Sequence, residues 1–213
     1  MGIEFGLIML VILIFSAILH EVAHGFVADR LGDPTARLLG RLTLNPRKHI
    51  DPFMSIALPL ILILSGSPVI FGAAKPIPVD PFNLKEGRKD IAIVSLAGPA
   101  TNVLIALIAV LIIHGLFLIP IDSSVVNLIY KLLFTIVHLN LLLAIFNLLP
   151  IPPLDGSKIF ALILPEKEAN IYLSLGSIGI FILFFLLMFP IGGFSLGGLI
   201  FSLLSFSERL LGL

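Results

Sequence analysis

The segment His20-Glu21-Val22-Ala23-His24 places two histidines and a glutamate at a spacing that can hold and use a metal ion. On a helix, residues four apart lie on one face, so both imidazoles can reach one Zn²⁺. Zinc lowers the pKa of a bound water to about 7, and the adjacent glutamate can take the proton that this water releases. We therefore predict His20 and His24 as metal ligands and Glu21 as a general base.

The position of this motif argues against a chance match. It follows residues 5–19, which carry no charge, within one predicted membrane-spanning helix. An ionisable side chain at membrane depth costs about 2.5 to 3.5 kcal/mol, and such residues are rare and usually functional. The sequence contains no Cys, so the metal must be held by histidine and carboxylate groups alone.

A tetrahedral catalytic zinc site takes three protein ligands and keeps a fourth position open. Downstream of His24, residues 25–31 offer only Asp29, which lies at the expected membrane edge. Asp155 follows three prolines within residues 150–153, which prevent a regular helix there. At membrane depth, such backbone occurs only where it is buried in protein or lines a wet cavity. We predict Asp155 as the third ligand; the alternative is an ordinary Asp-Gly turn at a helix end.

Apolar side chains make up 58% of the 213 residues, and only 12% of the residues are charged. That composition is typical of a membrane protein and not of a water-soluble globule. The net charge is zero, so the basic surface of a nucleic-acid-binding protein is missing, and nucleic acid is excluded as a partner. We predict an all-α polytopic membrane protein with five to six membrane segments in the lipid bilayer.

Four or five stretches are long and apolar enough for membrane spans of about 20 residues, and the clearest three are residues 5–28, 91–119 and 125–149. Residues 169–207 carry no charge and are divided by Pro190 and two glycines, which predicts a C-terminal pair of helices. We expect one membrane-embedded domain over residues 1–213, with its core in residues 3–160.

Residues 53–71 are apolar but contain two prolines and Gly66, which suit a broken path. The metal site must lie near the membrane face at which the first span ends, because His20 occurs late in that span. If residues 53–71 crossed the bilayer, the third span would end on the opposite face and leave Asp155 far from the histidines. We therefore predict that this segment is re-entrant, entering the membrane and returning on the same side.

The distribution of basic residues predicts the orientation. With a re-entrant segment, 12 of the 13 Lys and Arg residues, Arg209 included, fall on one side, and Lys131 is the exception. The positive-inside rule makes that side cytoplasmic. We predict a multi-pass protein of the plasma membrane with its N-terminus outside and its metal site toward the cytoplasm.

Three motifs in this order resemble the site-2 protease family of intramembrane zinc metalloproteases. They are the H-E-x-x-H sequence, Ala97-Gly-Pro-Ala-Thr-Asn102, and an N-x-x-P-x-x-x-L-D-G pattern from Asn147 to Gly156. The runs Gly40-Arg-Leu-Thr-Leu-Asn-Pro46 and Phe71-Gly-Ala-Ala-Lys-Pro-Ile-Pro-Val79 resemble the compact prokaryotic members, which lack a PDZ or CBS domain.

The resemblance implies that the two histidines and Asp155 hold one Zn²⁺ and that Glu21 is the catalytic base. It also implies that Asn147 holds the substrate carbonyl or its oxyanion, and it makes Asn102 a candidate for substrate binding. The implied activity is hydrolysis of peptide bonds in or near transmembrane segments of other membrane proteins, as in regulated intramembrane proteolysis.

Residues 40–45 and 75–79 are rich in β-forming side chains, and we predict short strands there, near the cytoplasmic side. An exposed strand edge could pair with an unwound substrate by strand addition.

A zinc transporter or channel that uses the same cluster is the main alternative function. Transporters usually have internal repeats and a binding site near the bilayer midplane, and neither is visible in the sequence. An inactive relative that only binds membrane partners is disfavoured, because all the motif residues are present. Among the other polar residues, His138 and Asn140 are expected to form hydrogen bonds between helices, and His49 and His114 are expected to be incidental.

Overall fold

The computed structural model describes residues 3–65, 72, 74–116 and 123–213. Over these residues the chain is helical and contains no strand, so the predicted all-α class is confirmed. The chain divides into two compact units, residues 1–85 and residues 86–213. The expectation of one functional domain over residues 1–213 stays a prediction.

The first unit is built on one long apolar helix, α1 (Ile3–Leu31), whose 29 residues extend over about 43 Å. Its charged ends, with Glu4 in the first turn and Arg30 in the last, complement the helix dipole. A short helix α2 (Thr35–Leu38) and a 3₁₀ turn (Pro46–Lys48) follow it.

A π-helical turn (Pro52–Ala57) continues into helix α3 (Leu58–Leu64), and a second 3₁₀ turn (Pro81–Asn83) lies near the end of the unit. The carboxylate of Asp51 caps the π-helical turn by accepting the backbone N–H groups of Phe53 and Met54.

In the described part of the segment predicted to be re-entrant, residues 53–65, no helix is long enough to cross a bilayer. The π-helical turn and α3 total 13 residues, about 20 Å, against the roughly 20 residues of a full span. Ile63 lies against Gly6 at the start of α1, where an added Cβ would be 2.9 Å from Ile63 Cγ2. Gly72 lies beside Pro59, since a Cβ added at Gly72 would be 2.8 Å from Pro59 Cγ. These contacts of Ile63 and Gly72 are consistent with a re-entrant segment, but residues 66–71, including Gly66 and Pro68, lie outside the described residues, and the re-entrant path stays a prediction.

The second unit is built on two long helices, α4 (Arg88–Leu116) and α5 (Ser123–Asn147), which pack along each other. Small residues such as Ala106 and Ala109 lie in their shared core and allow the two helices to approach closely. Four further helices follow, namely α6 (Asp155–Phe160), α7 (Glu166–Ser174), α8 (Gly176–Met188) and α9 (Leu196–Leu210).

Three helices of the described chain, α1, α4 and α5, are long and apolar enough to cross a membrane. A fourth crossing is available only if α7 and α8 count as one span, and these two are bent by 72°. The prediction of five to six membrane segments is therefore not confirmed. The apolar residues from 169 to 207 are divided into helices of 9, 13 and 15 residues, each shorter than a full span.

The two predicted strands do not form, and that prediction is wrong for these residues. Residues 40–45 run through turns and bends, starting at Gly40 with a left-handed φ of +63°. Residues 75–79 lie outside helices and strands, and their two prolines have no N–H to donate to a strand ladder.

The C-terminal helix ends in a place that the sequence did not predict. An added Cβ at Gly212 would be 3.3 Å from His114 Nε2, near the end of α4 that is distant from Arg88. Arg209, one turn before Gly212, therefore does not lie with Arg88, which does not support its predicted grouping with the cytoplasmic charges. The reason is that α9 packs along α5, where Glu208 bonds His138.

Candidate metal centre

The two histidines of the H-E-x-x-H motif converge on one point from a single face of α1. Their Nε2 atoms are 3.0 Å apart, and their rings are nearly perpendicular with centroids 4.6 Å apart. Tetrahedral zinc with Zn–N bonds of about 2.05 Å holds two nitrogens roughly 3.3 Å apart, so this spacing fits one shared ion. Both side chains are buried, His20 at 7% and His24 at 8% exposure. The donor atoms thus fit zinc.

Glu21 is half-buried next to this pair, and one of its carboxylate oxygens has a defined partner. Its Oε2 accepts a 2.7 Å hydrogen bond from the backbone N–H of Ile77, 56 positions along the chain. The carboxylate is therefore attached to a backbone donor beyond its own helix.

Residues 74–80 bring that donor to α1. An added Cβ at Gly25 would be 2.7 Å from Leu42 Cδ2 and 2.9 Å from Ile77 Cγ2, so only a glycine lets these side chains approach so closely. Lys75 donates its backbone N–H to the His49 carbonyl at 2.7 Å. Although residues 75–79 do not form a strand, they are fixed by bonds from several parts of the unit.

His49, expected to be incidental, is a fully buried member of this arrangement. Its Nε2 lies 2.7 Å from the carbonyl of Thr43, which can only accept, so Nε2 carries the proton. Burial lowers the pKa of His49, and the positive charge of Arg41 lowers it further. The Thr43 bond and the charge of Glu21 act in the opposite direction without cancelling this effect. The folded structure therefore disfavours protonation of this imidazole.

Asp33 is a second structural residue that the sequence analysis missed, and it ties the end of α1 to the segment near residue 80. It is fully buried and accepts the backbone N–H of Asp80 at 2.8 Å and the side chain of Asn83 at 3.0 Å. Burial raises the pKa of Asp33, but its hydrogen bonds, including two from Thr35, together bring it below the usual value. The turn-forming sequence Asp33-Pro34-Thr35 was the only signal for it.

In the second unit, Asp155 is the first residue of α6 and is buried, so all three predicted ligands are buried. Residues 148–154, between α5 and α6, form turns, as the prolines predicted. A Cβ at Gly156 would overlap the carbonyl of Leu148, which explains the glycine after the aspartate. Lys158 Nζ lies 3.4 Å from Asp155 Oδ1. That Asp155 completes the ligand set of the first unit stays a prediction.

Asn147, predicted to hold the substrate carbonyl, is the last residue of α5 and is half-buried. Its side-chain amide donates to the carbonyl of Leu143 at 3.0 Å. An asparagine amide has two N–H groups, so one donor is left after this bond. The predicted oxyanion contact of Asn147 stays a prediction.

Asn102, the candidate for substrate binding, is fully buried between two helices. Its amide donates to Asn140 Oδ1 at 2.9 Å, which links α4 to α5. The interhelical role predicted for Asn140 is confirmed, as is that of His138, whose Nδ1 lies 2.7 Å from Glu208 of α9. The substrate contact of Asn102 stays a prediction.

The chain is similar to known proteins over most of its length. The model of Peptidase family M50 matches residues 8–120 and 113–190. The chain is 35% identical over 193 residues to the "Putative zinc metalloprotease YwhC" of Bacillus subtilis, which covers 88% of this chain and 83% of that protein.

Two further relatives come from a mycobacterium and an archaeon. The "Putative zinc metalloprotease Rip2" of Mycobacterium tuberculosis is 32% identical over 173 residues, which is 81% of this chain and 62% of Rip2. The "Zinc metalloprotease MJ0392" of Methanocaldococcus jannaschii is 29% identical over 163 residues, 76% of this chain and 36% of that protein. No solved structure shows a significant match to the chain.

Proposed function

Because the chain belongs to Peptidase family M50, as its motifs predicted, we propose that it is a zinc metalloendopeptidase of the membrane. Its substrates would be other membrane proteins, cut in or near a transmembrane segment. The observation that carries the proposal is the pair of imidazole Nε2 atoms 3.0 Å apart, on the helix in which Glu21 directly follows His20. The names of the relatives, all zinc metalloproteases, support the same activity.

The proposed ligands are His20, His24 and Asp155, with one Zn²⁺ per chain. Two imidazoles and one carboxylate are a common catalytic zinc set, which leaves a fourth position for water or substrate. When bound, zinc makes a water acidic near pH 7 and polarises the carbonyl of the scissile bond. All three side chains are buried, so they are shielded from bulk solvent. This shielding would strengthen their electrostatic interaction with a bound zinc ion.

Glu21 is the proposed general base and acid. Its carboxylate takes a proton from the attacking water and then delivers that proton to the nitrogen of the leaving amine. Asn147 is proposed to donate its remaining amide N–H to the oxygen on which negative charge develops. General acid–base catalysis of this kind contributes about 10² to 10⁴ in rate.

The proposed setting is the cytoplasmic half of a bilayer, with the N-terminus outside. α1, α4 and α5 provide three spans, and residues 53–71 are proposed to enter and return. In this topology 11 of the 13 Lys and Arg residues share one side, with Lys131 and Arg209 excepted, which still satisfies the positive-inside rule. A substrate helix must unwind there, because helical carbonyls are already hydrogen-bonded.

Cleavage of a generic substrate tests the proposal. We expect the purified chain in detergent, loaded with zinc, to cleave fluorescein-labelled β-casein, an unfolded protein that needs no helix unwinding. Glu21→Gln should lose cleavage by at least about 10²-fold while retaining its zinc. Glu86→Gln is the matched control, because Glu86 is exposed and ion-paired to Lys89.

Two results would contradict the proposal. One is a zinc-loaded wild type that cleaves neither casein nor a reconstituted single-span protein. The other is a Glu21→Gln variant that cleaves as fast as wild type. Zinc flux across vesicles that survives in Glu21→Gln would instead favour a transporter.

A further inference from the structure

We propose that the backbone N–H of Ile77 positions the Glu21 carboxylate for proton transfer, and that Arg41 holds Ile77 in place. Ile77 and Arg41 are then positioning residues that act through the base. The inference rests on the proposed function, because it assigns a role in peptide-bond hydrolysis.

The sequence makes Ile77 the sole backbone donor of its neighbourhood. Pro76 and Pro78 flank it, and proline has no N–H, so Ile77 has the only backbone N–H between residues 76 and 78. That one donor is directed to Glu21 Oε2 at 2.7 Å. Prolines also restrict the backbone on both sides, so the donor is held on a stiff segment.

Arg41 fixes the peptide units that precede this donor. Its Nη2 lies 3.0 Å from the carbonyl oxygen of Lys75 and 3.2 Å from that of Pro76. The Pro76 carbonyl and the Ile77 N–H belong to the same peptide plane, so a bond to one sets the direction of the other. The guanidinium therefore orients the N–H that Glu21 accepts.

The side chain of Ile77 provides a second, independent anchor. It is buried, at 7% exposure, and lies over Gly25, one helical turn beyond Glu21 on α1. The N–H and the side chain of one residue thus contact two positions of the same helix that are four residues apart. These two contacts fix where the Ile77 N–H lies along the axis of α1 and in which direction it points relative to Glu21.

The chemistry favours positioning over blocking of the base. A carboxylate has two oxygens, and the Ile77 bond occupies Oε2 alone; Oε1 has no hydrogen-bond partner among the described residues. A glutamate side chain turns about several bonds, and fixing one oxygen restricts where the other can lie. Misplacement of a catalytic group by about 1 Å can cost roughly 10²-fold in rate.

Removing the N–H is the direct test, and Ile77→Pro does so while also replacing the buried isoleucine side chain. In zinc-loaded protein with fluorescein-labelled β-casein, we expect Ile77→Pro to lower kcat by about 10- to 100-fold, with KM within about twofold. Ile77→Val is the matched control, since it retains the N–H and a β-branched side chain, and it should keep wild-type kcat. Zinc content should be equal in all three proteins.

Arg41→Gln tests the same bond from the other side. Arg41→Gln should lower kcat in the same way as Ile77→Pro. Arg47→Gln is the control, because Arg47 is exposed, and it should retain the wild-type kcat. If Ile77→Pro fails to fold or to bind zinc, replacing Ile77 by its α-hydroxy acid decides the question, because it removes the N–H and keeps the isoleucine side chain. A kcat equal to wild type in the N–H-deficient protein, or a loss that falls on KM alone, overturns the inference.

These outcomes are separable from failure of the proposed function. If wild type cleaves and Glu21→Gln does not, the function stands, and the Ile77 variants alone decide the positioning role. If wild type does not cleave at all, the proposed function fails first and the positioning role falls with it.

Discussion

The side chain of Ile77 lies so close to Gly25 that an added Cβ would be 2.9 Å from Ile77 Cγ2. Leu42 and Ala36 crowd the same point, at 2.7 and 3.1 Å. Since ordinary carbon contacts are about 3.5 to 4.0 Å, any residue larger than glycine must displace these neighbours.

Gly25→Ala should therefore destabilise the protein, although alanine favours a helix by about 1 kcal/mol. Overpacking of this kind costs about 1 to 3 kcal/mol, so we expect a net loss and a lower thermal midpoint in detergent. Gly115→Ala in the last turn of α4 is the control, because nothing lies within 4 Å of its added Cβ. If Gly25→Ala is as stable as Gly115→Ala, the close contact with Ile77 is wrong.

The burial of His49 predicts a pH dependence of stability. The pKa of His49 is lowered in the folded state, so as pH falls below about 6.5 the unfolded chain binds a proton that the folded chain does not. Stability should be fully present above that pH and fall progressively as the pH drops toward the lowered folded pKa. The charges that act on this imidazole are Arg41, which opposes protonation, and Glu21, which favours it.

His49→Gln should remove this slope, because its amide can still donate to the Thr43 carbonyl but does not titrate. Thermal unfolding in detergent between pH 5 and 7.5 measures the difference. An equal slope in wild type and His49→Gln would show that another group is responsible.

The features that the sequence predicted correctly depend on local patterns. The helix that contains His20 and His24 follows from an apolar run, and the break before Asp155 follows from prolines within a few residues of it. The bond from Ile77 to Glu21 joins residues 56 positions apart, so no local pattern could reveal it. It depends on how residues 74–80 pack over Gly25.

The predictions that were wrong or not confirmed also have physical reasons. Hydropathy reports how apolar a stretch is but not whether its helix is continuous, so the apolar residues 169–207 suggested crossings that the short helices there do not confirm. The β-forming side chains of residues 75–79 suggested a strand, but backbone without N–H groups at Pro76 and Pro78 cannot form a ladder.

The Asn102–Asn140 bond predicts that Asn102 contributes to helix pairing. Hydrogen bonds between membrane helices average about 0.6 kcal/mol, so Asn102→Ala and Asn140→Ala should each lower stability and show a coupling of that order in a double-mutant cycle. Cleavage of β-casein by Asn102→Ala should retain the wild-type KM. A raised KM with no coupling to Asn140 would instead support the substrate contact that the resemblance implied.

The role proposed for Asp155 predicts a large loss of zinc when its carboxylate is removed. Three protein ligands hold a catalytic zinc, and His20 with His24 provide only two, so Asp155→Ala should lower zinc affinity by more than about 100-fold. Lys158→Met is the informative comparison, because it removes the ammonium 3.4 Å from the carboxylate but leaves the ligand. It should retain one zinc per chain, measured by elemental analysis of the purified protein. Full zinc content in Asp155→Ala would remove Asp155 from the site, and with it the argument that residues 53–71 must return to the side from which they entered.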